Sequence, residues 1–254
     1  MIVCVLSSGS KGNSTFIATS SSKILIDIGR TSLYIEKKLK EIDVEPSEID
    51  AILITHTHVD HVSGLRVFIK KYNPIVYLTQ NMYDELSSQF VINNYSIIDG
   101  DFTFNDLNIK VIKTSHDAPD SNGYIVENAN KSVVYITDTG YINYKYKNHL
   151  SNKDIYIIES NHDIDMLMNG IYPYNIKQRI LGDRGHLSNV QCSKYLSEFI
   201  GNNTKFIILA HLSEENNSYQ IAKDTLINKL QEENKNIDNI FIATQEDRTE
   251  LITI

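Results

Sequence analysis

The apolar run Ala51-Ile52-Leu53-Ile54 leads straight into His56-Thr57-His58-Val59-Asp60-His61. Polar rings crowded at the end of a run that reads as a buried strand need partners, because groups taken out of water must be paired. A metal ion is the economical partner. Alternate residues of an extended segment point the same way, so His56 and His58 can close on one ion. Once the chain bends, Asp60 and His61 are free to face a second. Two ions need more ligands than this cluster supplies, so the fold must bring others to the same strand end.

The rest of the chain offers strands and helices in a usable order. Short apolar or β-branched runs predict strands at 2–6, 15–18, 23–28, 51–54, 75–78, 109–114, 123–126, 132–137, 154–158, 205–209 and 240–243. Leu65, Phe68, Ile69 and Tyr72 recur at helical spacing, which puts the histidine cluster on a strand-to-helix loop. Further helices are expected at 32–40, 81–88, 188–199 and 219–231, the third capped by Ser188 and Gln191. Strands crowd the first half and return after Asp154, with helices after each batch. That order fits two sheets packed face to face with helices outside. At 254 residues and 41% hydrophobic content, one domain spanning 1–254 is expected.

Composition narrows the setting. No stretch approaches the roughly 18 apolar residues of a membrane span, and the start lacks a signal-peptide pattern, so a cytoplasmic protein with no membrane partner is expected. Cys4 and Cys192 form no CxxC pair and read as reduced, structural thiols. The net charge of -8 argues against a broad basic surface that holds nucleic acid by counterion release, yet bound cations would offset it locally. Lys177, Arg179 and Arg184 make a basic cluster near His186. The Ser/Gly-rich segment 7–14 reads as a hairpin turn whose N–H groups could also cradle a phosphate.

Three more candidate ligands stand just past predicted strands: His116 after Lys110-Val111-Ile112-Lys113, Asp138 after Val133-Val134-Tyr135-Ile136, and His211 after Phe206-Ile207-Ile208-Leu209. Together with the HxHxDH motif, this set resembles the metallo-β-lactamase superfamily of hydrolases from Lys23 to His211. The resemblance implies a four-layered αβ/βα sandwich. It also implies that His56, His58 and His116 bind one ion, that Asp60, His61 and His211 bind the other, and that Asp138 bridges them. Asp27 matches the superfamily's supporting aspartate. The donor set suits zinc, manganese or iron.

Leu6-Ser7-Ser8-Gly9-Ser10-Lys11-Gly12-Asn13-Ser14, Ile158-Glu159-Ser160-Asn161-His162-Asp163, Gly170-Ile171-Tyr172-Pro173, Gly185-His186-Leu187-Ser188-Asn189 and Ala210-His211-Leu212-Ser213-Glu214 resemble the branch called YycJ, WalJ or VicX. That branch implies a metal-dependent exonuclease acting 5′ to 3′ on double-stranded DNA ends, with a hydroxide held between two divalent ions as nucleophile. The spacing from Asp138 to His211 is too short for the inserted domain of β-CASP nucleases. The spacing from His116 to Asp138 leaves no room for the long arm of ribonuclease Z. Asp60 or the bridging Asp138 is the expected proton acceptor and His186 the expected general acid, by likeness to the histidine loop of ribonuclease Z, with Glu159 orienting it. His149 is expected in solvent; the role of His162 stays open, its place in the Glu159–Asp163 segment suggesting the edge of the site. Two alternatives remain: a small-molecule metallohydrolase, such as a cyclic phosphodiesterase or lactonase, and a non-catalytic regulatory protein.

Overall fold

In the computed structural model, which describes residues 1–254, the chain alternates strands with helices in two batches. The first runs β1 (Ile2–Ser7), β2 (Ser14–Ala18), β3 (Lys23–Ile26), α1 (Ser32–Lys40), β4 (Ala51–Leu53), α2 (Val59–Val62), α3 (Leu65–Tyr72), β5 (Ile75–Leu78), α4 (Gln80–Ser87) and β6 (Tyr95–Ile97). The second runs β7 (Phe102–Phe104), β8 (Leu107–Lys113), β9 (Asn122–Asn128), β10 (Lys131–Ile136), α5 (Lys147–Leu150), β11 (Ile155–Glu159), α6 (Ile164–Asn169), α7 (Tyr174–Leu181), α8 (Asn189–Phe199), β12 (Phe206–Ala210), α9 (Tyr219–Glu232), β13 (Ile240–Ile242) and β14 (Ile252–Thr253). One seven-stranded sheet has the order β14-β1-β2-β3-β4-β5-β6, the other β13-β12-β11-β10-β9-β8-β7. Strands β3 to β6 are parallel, as are β10 to β13, and the remaining pairs are antiparallel.

The central strands are apolar along their whole length because both faces are covered. In β4, Ala51 and Leu53 enter the core between the sheets, while Ile52 packs outward against helices. In β11, Ile155 and Ile157 face inward while Tyr156 and Ile158 face outward. Helices α1, α3 and α4 cover the outer face of the first sheet, and α5, α8 and α9 that of the second. The result is the expected helix–sheet–sheet–helix sandwich. No helix is long and apolar enough to cross a membrane.

Every predicted strand and helix is present, with ends moved by a residue or two. The unpredicted elements are short or lack a buried stripe: β6, β7 and β14 have three residues or fewer, and α7 buries no side chain. Ser188 caps α8 and forms the expected box with Gln191. Both cysteines are free and buried. Segment 7–14 is a hairpin turn between β1 and β2 in which most N–H groups are already paired, while Ser10 is exposed and lines the cleft that also holds His58 and Asp60. Gly9 N donates to Asn13 Oδ1, Gly12 N to Gly9 O and Asn13 N to Asp60 O, while Ser8 Oγ accepts from His211 N.

Two hydrogen bonds join the sheets where the histidine loop begins. Tyr124 Oη on β9 donates to Ile54 O at 2.5 Å, and Asn122 N donates to Thr55 O at 3.0 Å. Tyr124 is wholly buried, so no water can replace its hydroxyl. Tyr124→Phe should therefore lower unfolding stability by about 1–3 kcal/mol, the cost of an unpaired buried acceptor. Urea denaturation measures this, and an unchanged midpoint would show that the bond does not tie the sheets.

Candidate metal centre

The polar residues that converge at the seam sit at strand ends, and their backbone conformation aims them. Asp27 follows β3 with φ 61°, Asp138 follows β10 with φ 54°, and His211 follows β12 with φ 54°. The left-handed region turns the chain sharply; among non-glycine residues, Asn, Asp and His tolerate it best. Beyond β4 the chain enters the single turn α2, so Asp60 and His61 lie on a helical turn rather than in extended chain. This turn rests on residues 13 and 28: Asn13 N donates to Asp60 O at 2.8 Å and Ile28 N to His61 O at 2.9 Å. A Cβ on Gly29 would stand 1.7 Å from Asp60 O, so only glycine allows that approach.

Four of the rings are held by Nδ1 and turn Nε2 inward. His61 Nδ1 donates to Asp27 Oδ2 at 2.8 Å, and His211 Nδ1 to Glu159 Oε1 at 2.8 Å. His56 Nδ1 meets Thr55 Oγ1 at 3.1 Å and His116 Nδ1 meets Gly185 O at 3.3 Å. Thr55 in turn donates through its N and its hydroxyl to Asp27, each at 2.8 Å. The donor atoms of His56, His58 and His116 lie within 4.8 Å of one another, and so do those of Asp60, His61 and His211. Asp138 stands between: Oδ2 is 3.1 Å from His61 Nε2 and Oδ1 is 3.8 Å from His116 Nε2. His56 Nε2, His211 Nε2 and Asp138 Oδ2 are buried without a hydrogen-bond partner. Buried orphan lone pairs on imidazoles and a carboxylate fit divalent cations, and these clusters can hold them.

The field at the site favours cations. Burial, with His61 nearby, pushes His56 well below the ordinary imidazole value, which leaves it in the neutral form that coordinates metal. Burial also disfavours charge on His61, but Asp138 and Asp27 outweigh it and hold that ring at about 10. Burial on His211 is outweighed in the same way, with Asp138 the strongest opposing group and Asp60 and Glu159 adding to it. Protons and divalent ions compete for the same lone pairs, so carboxylates that would keep a proton on these rings also attract a metal.

Glu159 is wholly buried and spends both oxygens. Oε1 accepts from His186 Nδ1 at 2.7 Å and from His211 Nδ1, while Oε2 accepts from Thr139 N and Leu187 N, each at 3.1 Å. Burial would raise its pKa, but His186 and His211 win and hold it at about 2. It orients two rings and does not line the cleft. His186 is 20% exposed and lines a cleft of about 340 Å³ with His58, Asp60, His116, Asp138 and His211. Burial lowers its pKa, yet Glu159 outweighs this and the net shift is upward.

His162 is buried beside Ser188, near enough for Glu159 and His186 to act on its ring; both ring nitrogens lack partners, and burial pushes its pKa down to about 4. The basic trio is not a free patch, because Lys177 donates to Met168 O and Gly170 O, Arg179 pairs with Asp117 and Arg184 donates to His116 O. His149 is exposed, as expected. Thr55, Asn13 and Asp117 were missed. Asp117 had one signal, its place directly after His116.

Comparison with known proteins agrees with this geometry. A family described as the beta-lactamase superfamily domain matches residues 23–211. The exodeoxyribonuclease WalJ of Streptococcus pneumoniae is 38% identical over 233 residues, covering 89% of this chain and 87% of its own. The exodeoxyribonuclease YycJ of Bacillus anthracis is 35% identical over 246 residues, covering 93% and 92%. The metallo-beta-lactamase fold protein YhfI from Bacillus subtilis superposes with a TM-score of 0.72 at 16% identity, over 98% of this chain and all of its own. The chain thus belongs to the metallo-β-lactamase superfamily, in the group it forms with WalJ and YycJ.

Proposed function

We propose that the protein is a metal-dependent exonuclease that removes nucleotides from the 5′ ends of double-stranded DNA. The convergence of imidazole Nε2 atoms and carboxylate oxygens on a buried pair of clusters carries this reading. Similarity to two proteins named exodeoxyribonucleases, over about nine-tenths of each chain, supplies the substrate class. The cleft, about 340 Å³, lies near the lower end of the ligand-pocket range of about 300–1,000 Å³. Such a cleft suits one nucleotide at a time, with the duplex held outside, as an end-acting enzyme requires.

His56, His58 and His116 would hold one ion, Asp60, His61 and His211 the other, and Asp138 both, with zinc or manganese as the metals. Divalent ions in such a site supply Lewis acidity, which activates water near neutral pH and offsets charge developing on a phosphoryl group. Asp60 is the carboxylate of the set most open to the cleft, and it accepts the proton of the attacking water. Glu159 favours the protonated form of His186 and leaves its Nε2 for the cleft, where it gives a proton to the departing oxygen. The metal ligands fix the phosphate's place, and these two residues move the protons.

Protein stripped with chelator and reconstituted with zinc or manganese should contain two ions per chain by elemental analysis. Asp60→Ala should contain one and lose hydrolysis with an unchanged circular dichroism spectrum; full activity in that variant would refute its role. His186→Ala should keep its metal and lose about 10²–10⁴-fold on DNA. On bis-p-nitrophenyl phosphate, whose nitrophenolate departs without a proton, the loss should be far smaller. Equal losses on both substrates would remove the general acid from the mechanism.

A further inference from the structure

Asp117 follows His116 in the loop from β8 to β9, and nothing above gives it a part in the reaction. Its Oδ1 is buried and has no hydrogen-bond partner. That oxygen lies 3.3 Å from His116 Nε2 and 3.7 Å from His58 Nε2. Donors about 2.0–2.2 Å from a shared ion sit roughly 3–3.6 Å apart, so these are close to co-ligand separations. Asp138 Oδ1 is farther from His116 Nε2, at 3.8 Å.

The second oxygen is already engaged. Arg179 of α7 places Nε 2.7 Å and Nη2 2.5 Å from Asp117 Oδ2, which leaves Oδ1 turned towards the histidines. Arg184, just beyond α7, donates to His116 O at 3.1 Å and fixes the adjoining backbone. An arginine pair alone would not require the other oxygen to be sealed from water. A sealed carboxylate oxygen with no donor is costly unless a cation faces it.

We propose that Asp117 is a further ligand of the ion held by His56, His58 and His116, and that Arg179 is the positioning residue that keeps its oxygen on that ion. This rests on the metal-holding assignment above. With Asp138, it would give this ion five protein donors, two of them carboxylate oxygens. Zinc is satisfied by four donors, whereas manganese favours hard oxygen ligands and octahedral geometry. Loss of Asp117 therefore falls harder on manganese.

The test is metal uptake by the full chain. Metal-free wild type, Asp117→Asn and Arg179→Ala are titrated with Mn2+ and, separately, with Zn2+, following heat by calorimetry and free Mn2+ by electron paramagnetic resonance. Asp117→Asn should weaken Mn2+ binding by about 10–100-fold, and Zn2+ binding by less, with an unchanged circular dichroism spectrum. Arg179→Ala, which frees the carboxylate without removing it, should weaken Mn2+ binding less than Asp117→Asn. Unchanged Mn2+ affinity in Asp117→Asn would overturn the proposal, as would a larger loss in Arg179→Ala. Because the readout is ion uptake, a protein that binds ions but leaves DNA intact would count against the nuclease reading alone. Wild type that binds no ion would overturn both.

Discussion

Two buried carboxylates, Asp27 from the first sheet and Glu159 from the second, make it possible to bury the histidine cluster at all. Each accepts from the Nδ1 of a ring, His61 for Asp27 and both His186 and His211 for Glu159. Each is itself held by backbone N–H groups, from Thr55 for Asp27 and from Thr139 and Leu187 for Glu159. A carboxylate sealed from water survives only when its oxygens are filled in this way. The rings are thereby fixed in tautomer and tilt before any ion arrives, which is how partners behind the ligands act in metal sites generally.

Much of this was legible in the sequence because strand ends carry a strong signal. An apolar run buried on both faces is hard to mistake, and a histidine or aspartate just past one stands out. His56, His58, His61, His116, Asp138 and His211 all announced themselves in that way, and the structure brings their donor atoms together with Asp60. Helices with a buried stripe, such as α3 and α8, were equally clear.

What escaped notice lacks periodicity or acts through another residue. Helix α7 buries nothing, so no apolar spacing marks it, although it carries the arginine that grips Asp117. Thr55 and Asn13 are ordinary polar residues in one dimension. Their importance depends on what folding sets beside them: Asp27 and His56 for Thr55, and the Asp60 carbonyl for Asn13. In the Ser/Gly segment, a sequence does not show that the N–H groups of Ser8, Gly9, Lys11, Gly12 and Asn13 are already taken.

The left-handed backbone at Asp27, Asp138 and His211 has a consequence for how such a protein can change over generations. Each position keeps a strained conformation for the sake of where its side chain points, and glycine or asparagine would fit that backbone at equal or lower cost. Relief of strain and loss of chemistry therefore lie one substitution apart. A descendant that no longer needed the reaction could drift to glycine at these strand ends while keeping its sandwich, and would gain resilience as it went silent. Glycine or asparagine at these three places, in an otherwise intact chain, would mark a copy retired from catalysis more clearly than decay elsewhere.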